Sequence, residues 1–144
     1  MKPTSPPEAT DAAAAASDLT KLHAAVVFLA RFFGVTAESE RLRASLAAYG
    51  NAQSATSASA LPQILAHGGL VGSELSASSA RRPTEMPALL LNSQGEAVVV
   101  LAIKQDRYEC HLPGIEGSSW LDAAALASEV PSARWIAVRQ KMFF

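Results

Sequence analysis

One stretch constrains the fold more than any other: Leu19 to Phe33, apolar on almost every side of a helical wheel. Leu19, Leu22, Val26, Leu29 and Phe33 recur at alternating spacings of three and four, which aligns them on one face of an α-helix. Ala24, Ala25, Val27, Phe28 and Ala30 extend the apolar surface around the rest. A helix of this kind is expected to be central and buried, with other elements packed on it. Ser17 or Asp18 can accept from the free N–H groups of the first turn, and Gly34 can take the left-handed conformation that ends a helix.

The period then changes along the chain. A second helix is expected over Ala37–Tyr49, capped by Thr36, started by Glu38 and stopped by Gly50, with Leu42, Leu46 and Tyr49 inward. Asn51–Ser59 reads as a Ser/Ala-rich loop. A third helix starts near Leu61, where Pro62 suits a first turn, and stops at Gly68-Gly69. Beyond it lie β-rich runs at Leu70–Leu75, Ala88–Leu91, Ala97–Ile103, Tyr108–Leu112 and Arg134–Val138, with a short helix over Leu121–Glu129. Asn92-Ser93-Gln94-Gly95 and Gln105-Asp106-Arg107 are short enough to make their strands antiparallel neighbours. Val98–Leu101 is continuously apolar, as a central strand covered on both faces must be. Helices first and strands afterwards predict an α+β fold with N-terminal helices packed on an antiparallel sheet.

Composition excludes several functions. Net charge is −1 and the basic residues are scattered, which leaves no Lys/Arg stripe for nucleic acid. The single cysteine, Cys110, cannot form an internal disulfide. Residues 1–17 read as a disordered Pro- and Ala-rich tail, and the single folded domain as 18–140. No run reaches the ~18 apolar residues of a membrane span. A phosphate loop of the Gly-x-x-x-x-Gly-Lys type is absent, so no ATPase domain is expected here. His23, His67 and His111 fall on separate elements without ligand-like spacing, and neither a metal nor a cofactor is expected. No Gly-x-Ser-x-Gly elbow supports a serine hydrolase.

The order of motifs resembles a known family. The first helix ends Ala30-Arg31-Phe32-Phe33-Gly34, and the second carries Leu42-Arg43-Ala44-Ser45-Leu46. The third ends Ala66-His67-Gly68-Gly69-Leu70; Met86-Pro87-Ala88-Leu89-Leu90-Leu91, the hairpin, and Tyr108-Glu109-Cys110-His111-Leu112-Pro113 follow. From Asp18 to Arg139 this resembles the papain-like cysteine peptidase domain at the N-terminus of bacteriocin-exporting ABC transporters. In that family a nucleophilic Cys opens the first helix, a His opens the second strand of the hairpin, and an Asp precedes a Pro. The matching places hold Lys21, Ala97 (Glu96 if the alignment slips by one) and Leu112, and alanines occupy the region of the oxyanion Gln. The chain is therefore more similar to the degenerate branch, the peptidase-like domains of haemolysin- and adhesin-type type I secretion transporters.

That resemblance implies a non-catalytic cytoplasmic domain on the inner-membrane face, fused in the parent protein to transmembrane and ATPase domains. Its partner would be an unfolded RTX-type toxin or adhesin awaiting export. Lys21 and His23 mark the old active-site mouth, and Tyr108, Trp120 (in a Gly/Ser-rich loop) and Trp135 are candidate aromatic anchors. Core packing is the alternative for each aromatic. Arg81-Arg82 is either a meeting point for an acidic partner or a solvated pair. One rival reading is a leader peptidase using a relocated Cys110. Cys110 and His111 are strand neighbours, however, and such neighbours point to opposite faces. Another is a structural or gating scaffold.

Overall fold

The computed structural model describes residues 7–36, 38–74 and 86–140, with 7–18 and 73–74 by backbone alone. Arg81, Arg82 and the first six residues of the expected tail lie outside the described residues. Helix α1 spans Pro7–Phe32 and so begins well ahead of Ser17 and Asp18. The helix start expected at Ser17 or Asp18 is corrected to Pro7. The alanines of Ala12–Ala16 have the highest helix propensity of any residue, and nothing at Asp18 interrupts them.

Helix α2 spans Ser39–Tyr49 and α4 spans Leu61–His67, with Pro62 in its first turn. Glu38, not Thr36, holds the N-cap position of α2; its carboxylate pairs with Arg41 at 3.3 Å instead of capping. Gly50 closes α2 at φ 77°, a left-handed conformation that favours glycine. Between them the expected loop contains a one-turn helix, α3, at Ala52–Ala55. The Asn51 side chain caps it by accepting from the Ser54 N–H at 2.8 Å.

The sheet has six strands: β1 Leu70–Glu74, β2 Ala88–Leu91, β3 Ala97–Lys104, β4 Arg107–His111, β5 Ser119–Asp122 and β6 Arg134–Gln140. Their order is β1-β6-β2-β3-β4-β5, and every neighbouring pair is antiparallel. Strand β5 is an addition to the sequence reading, and it moves Trp120 from a loop into an edge strand. Helix α5 accordingly starts at Ala123 and ends at Glu129. Asp122 is its N-cap and accepts from the Ala125 N–H at 2.8 Å.

Two apolar layers hold the sheet. On one face Leu22, Val26 and Leu29 of α1, with Leu42, Leu46, Ile64 and Leu65, pack on Leu89, Leu91, Val99 and Ile136. On the other face Leu126 and Val130 cover Leu90, Val98, Val100 and Cys110. Strand β3 thus alternates between two cores, which explains its unbroken apolar run. At roughly 1.5–3 kcal/mol for each large aliphatic side chain removed from water, these layers dominate the stability. Gly72 lets α4 approach β1, because a Cβ there would collide with Leu65 and meet Ile136 Cγ2 at 3.1 Å. Helix α1 is not buried all round: Thr20, Lys21, Arg31 and Phe32 are exposed. Its main sheet partner is β3.

Candidate functional site

The mouth between α1 and the β2–β3 hairpin is organised by Asn92. This side chain is buried, and its Oδ1 accepts from the N–H groups of Gln94 and Glu96, both at 3.0 Å. Its Nδ2 donates to Glu96 Oε1 at 3.1 Å and to the Pro131 carbonyl at 2.9 Å. An amide has two acceptor and two donor positions, and all four are used. Gly95, at φ 82°, completes the tight turn that the Asn92 carbonyl closes by accepting from the Gly95 N–H. The hairpin is therefore fixed with Glu96 held toward α1.

Lys21 of α1 meets it there. Its Nζ lies 3.9 Å from Glu96 Oε2, with the Lys21 side chain about half exposed. Ala97, the next residue, is buried under α1 in the helical-side core. The fold thus brings together Lys21 and Glu96-Ala97, the places that correspond to a nucleophile and its base in the resemblance. It does not bring in Leu112. That side chain packs in the α5-side core, on the opposite face of the sheet.

His23 lies two residues from Lys21, about 200° further round a helix, so it faces α2 instead of the hairpin. Its Nε2 is 3.3 Å from Ser39 Oγ and 3.4 Å from the Ser39 carbonyl. It borders a cleft of about 390 Å³ lined by Leu19, Thr20, Arg43, Leu46 and Ala47.

The aromatic candidates separate as well. Tyr108 and Trp135 lie on the α5 face with ring centroids 6.4 Å apart, beside a groove of about 350 Å³ between α5 and the sheet. Trp120 pairs with Glu109 across β4–β5 and is 43% exposed on the α1 side of the sheet. His111, on that same side, stacks on Phe28 at a centroid distance of 3.8 Å and an interplanar angle of 8°. Its Nδ1 lies 3.0 Å from the Gly117 carbonyl, so it is anchored, not a bare surface residue. Sequence reasoning missed this stack, although Phe28, seven residues beyond Lys21, occupies the same helical stripe.

Cys110 is fully buried in the α5-side core. Burial, and then the charge of Glu109, push its thiol up to about 11. A thiol so placed stays protonated at neutral pH, whereas nucleophilic cysteines are exposed and acidified. His111 points to the other face. Among the described residues no group of three His, Cys, Asp or Glu side chains is placed to hold a metal ion. Nor is any helix among them long and apolar enough to cross a membrane.

No protein-family model matches the sequence, and no curated protein matches it. Among solved structures, the chain is similar to the crystal structure of the N-terminal peptidase C39 like domain of the toxin secretion ATP-binding protein from Vibrio parahaemolyticus. The TM-score is 0.59 at 15% identity, over 84% of this chain and 97% of that one. The two share helices packed on an antiparallel sheet across nearly the whole of that domain. The chain has an α+β fold of the peptidase C39-like kind.

Proposed function

We propose that this chain is a non-catalytic, peptidase-like domain of a type I secretion ABC transporter. It lies at the cytoplasmic face of the inner membrane and recruits an unfolded RTX-type toxin or adhesin for export. The observation that carries the reading is the Lys21–Glu96 pair at the mouth. In a peptidase of this fold that position needs a thiolate and an imidazole. Here an ammonium and a carboxylate face each other over a buried Ala97, and neither can attack a peptide bond. The remaining cysteine is shut in the opposite core.

What such a domain offers is surface: partly exposed aromatic side chains on both faces of the sheet. An unfolded client gives up ordering entropy on docking, so each contact is weak and the affinity is micromolar or poorer. Transport itself belongs to transmembrane and ATPase domains of the same transporter. The test uses an RTX-repeat polypeptide, unfolded without Ca²⁺ and folded with it. Binding of the Ca²⁺-free form alone, with no cleavage of a double-Gly leader peptide, is expected. Cleavage of that peptide, or equal binding of both forms, would overturn the reading.

A further inference from the structure

We infer that the outer edge of β5, centred on Trp120, docks an extended polypeptide segment carrying a basic residue beside an apolar one, by strand addition to the sheet. This rests on the docking role proposed above and names its place and mode.

Strand β5 ends the sheet order, so no described strand pairs with its outer side. The direction of each backbone group follows from the β3–β4 hairpin. Lys104 pairs with Arg107 across the two-residue turn Gln105-Asp106, and such a closing pair exchanges both backbone hydrogen bonds. Backbone groups alternate along a strand. Arg107 and Glu109 therefore turn theirs toward β3, while Tyr108 and Cys110 turn theirs toward β5. The partners of those two, Leu121 and Ser119, have their N–H and C=O engaged with β4. Those of Trp120 point away from the sheet. Asp122 points the same way, but there the chain turns into α5.

Among the described residues no strand pairs with the Trp120 backbone, which runs beside an indole that is itself 43% exposed, on the face opposite α5. Folded proteins usually blunt such an edge, and an extended chain supplies what it lacks: matching backbone groups and an apolar side chain to cover the indole. Acidic groups outnumber basic ones around it. Glu109, which accepts from the Ser118 hydroxyl, lies directly across from Trp120, Asp122 is two residues on, and exposed Glu116 precedes the strand; Arg107 opposite Asp122, and Lys104 opposite Arg107, are the basic ones. A Lys or Arg next to the apolar residue meets this balance and can also stack on the indole.

The test is amide hydrogen exchange on the ¹⁵N-labelled domain. The probes are unstructured Gly/Ser-flanked peptides with a Lys-Val-Leu-Val-Lys centre or a Glu-Val-Leu-Val-Glu centre. With the lysine peptide, the Trp120 amide should slow by about tenfold near saturation, while the amides of Ser119 and Leu121 stay as protected as before. The glutamate peptide should bind about fivefold more weakly at low salt. Trp120→Ala should abolish the effect while its spectrum remains that of the folded domain. Binding of the lysine peptide with Trp120 exchange unchanged, or equal binding of both peptides, overturns the inference. If neither peptide binds while the Ca²⁺-free RTX polypeptide does, the edge is refuted and the docking role stands. Failure of all three ligands refutes both.

Discussion

Asn92→Ala is the perturbation with the most to say about how the mouth is built. The wild-type amide makes four hydrogen bonds of 2.9 to 3.1 Å, and they join the β2–β3 hairpin, Glu96 and the loop before β6. Each is worth about 0.5–1.5 kcal/mol net, and a partner left buried costs more than one that regains water. Gln94 and Pro131 are exposed, so the Gln94 N–H and the Pro131 carbonyl rehydrate, whereas the Glu96 N–H, on a partly buried residue, regains water less readily. The sum is about 3 kcal/mol, which for a domain of this size lowers Tm by about 10 °C. Urea unfolding read by tryptophan fluorescence gives the free energy, and an unchanged m value shows that the unfolded state is not the cause. Asn92→Asp separates the two halves of the side chain. It keeps the acceptor bonds but sets a second carboxylate against Glu96, so it should remain destabilised at pH 7 and recover partly as acid protonates the introduced carboxylate. A loss under about 0.5 kcal/mol for Asn92→Ala would refute the reasoning, since the buried amide would then be dispensable.

Other expectations follow from single contacts. Native Cys110 should resist iodoacetamide at neutral pH and react only after unfolding. Because folding raises its pKa from 9.0 to about 11, the folded state holds the proton longer than the unfolded one. Its stabilising share is complete below pH 9.0 and is lost toward pH 11, so the difference in stability between wild type and Cys110→Ala should shrink by about 2 kcal/mol over that window. Gly72→Ala should destabilise by about 1–3 kcal/mol in thermal unfolding, because Leu65 and Ile136 fill the space its Cβ needs. Phe28→Ala should cost about 3 kcal/mol and shift the His111 ring resonances strongly, through loss of the stack. Lys21→Met should change stability by less than about 1 kcal/mol, as a pair this exposed contributes little.

The sequence made the core of this fold legible and left its margins obscure. Leu22, Val26 and Leu29 follow a helical period strongly enough to place α1 against the sheet, and the apolar run of β3 announced a strand covered on both sides. Signals that depend on one or two residues were harder to read. Asn51 caps a single turn inside what resembles a Ser/Ala loop, and β5 is only four residues long behind a Gly-rich turn. The α1 start was misplaced because alanine carries propensity without pattern. The candidate site was partly visible. Lys21 and Ala97 could be paired by motif order, but the Asn92 network, which spans the chain to Pro131, has no local sequence signature. Strand parity, fixed only once the register is known, divides Tyr108 and Trp135 from Trp120.

The most direct measurement is an amide-shift titration of the isotope-labelled domain with one RTX-repeat polypeptide, first Ca²⁺-free and unfolded, then Ca²⁺-loaded and folded. A recruiting domain gives shifts with the unfolded form alone, confined to one connected surface, with an affinity of micromolar or weaker. No shifts with either form at concentrations well above ~100 micromolar would contradict recruitment.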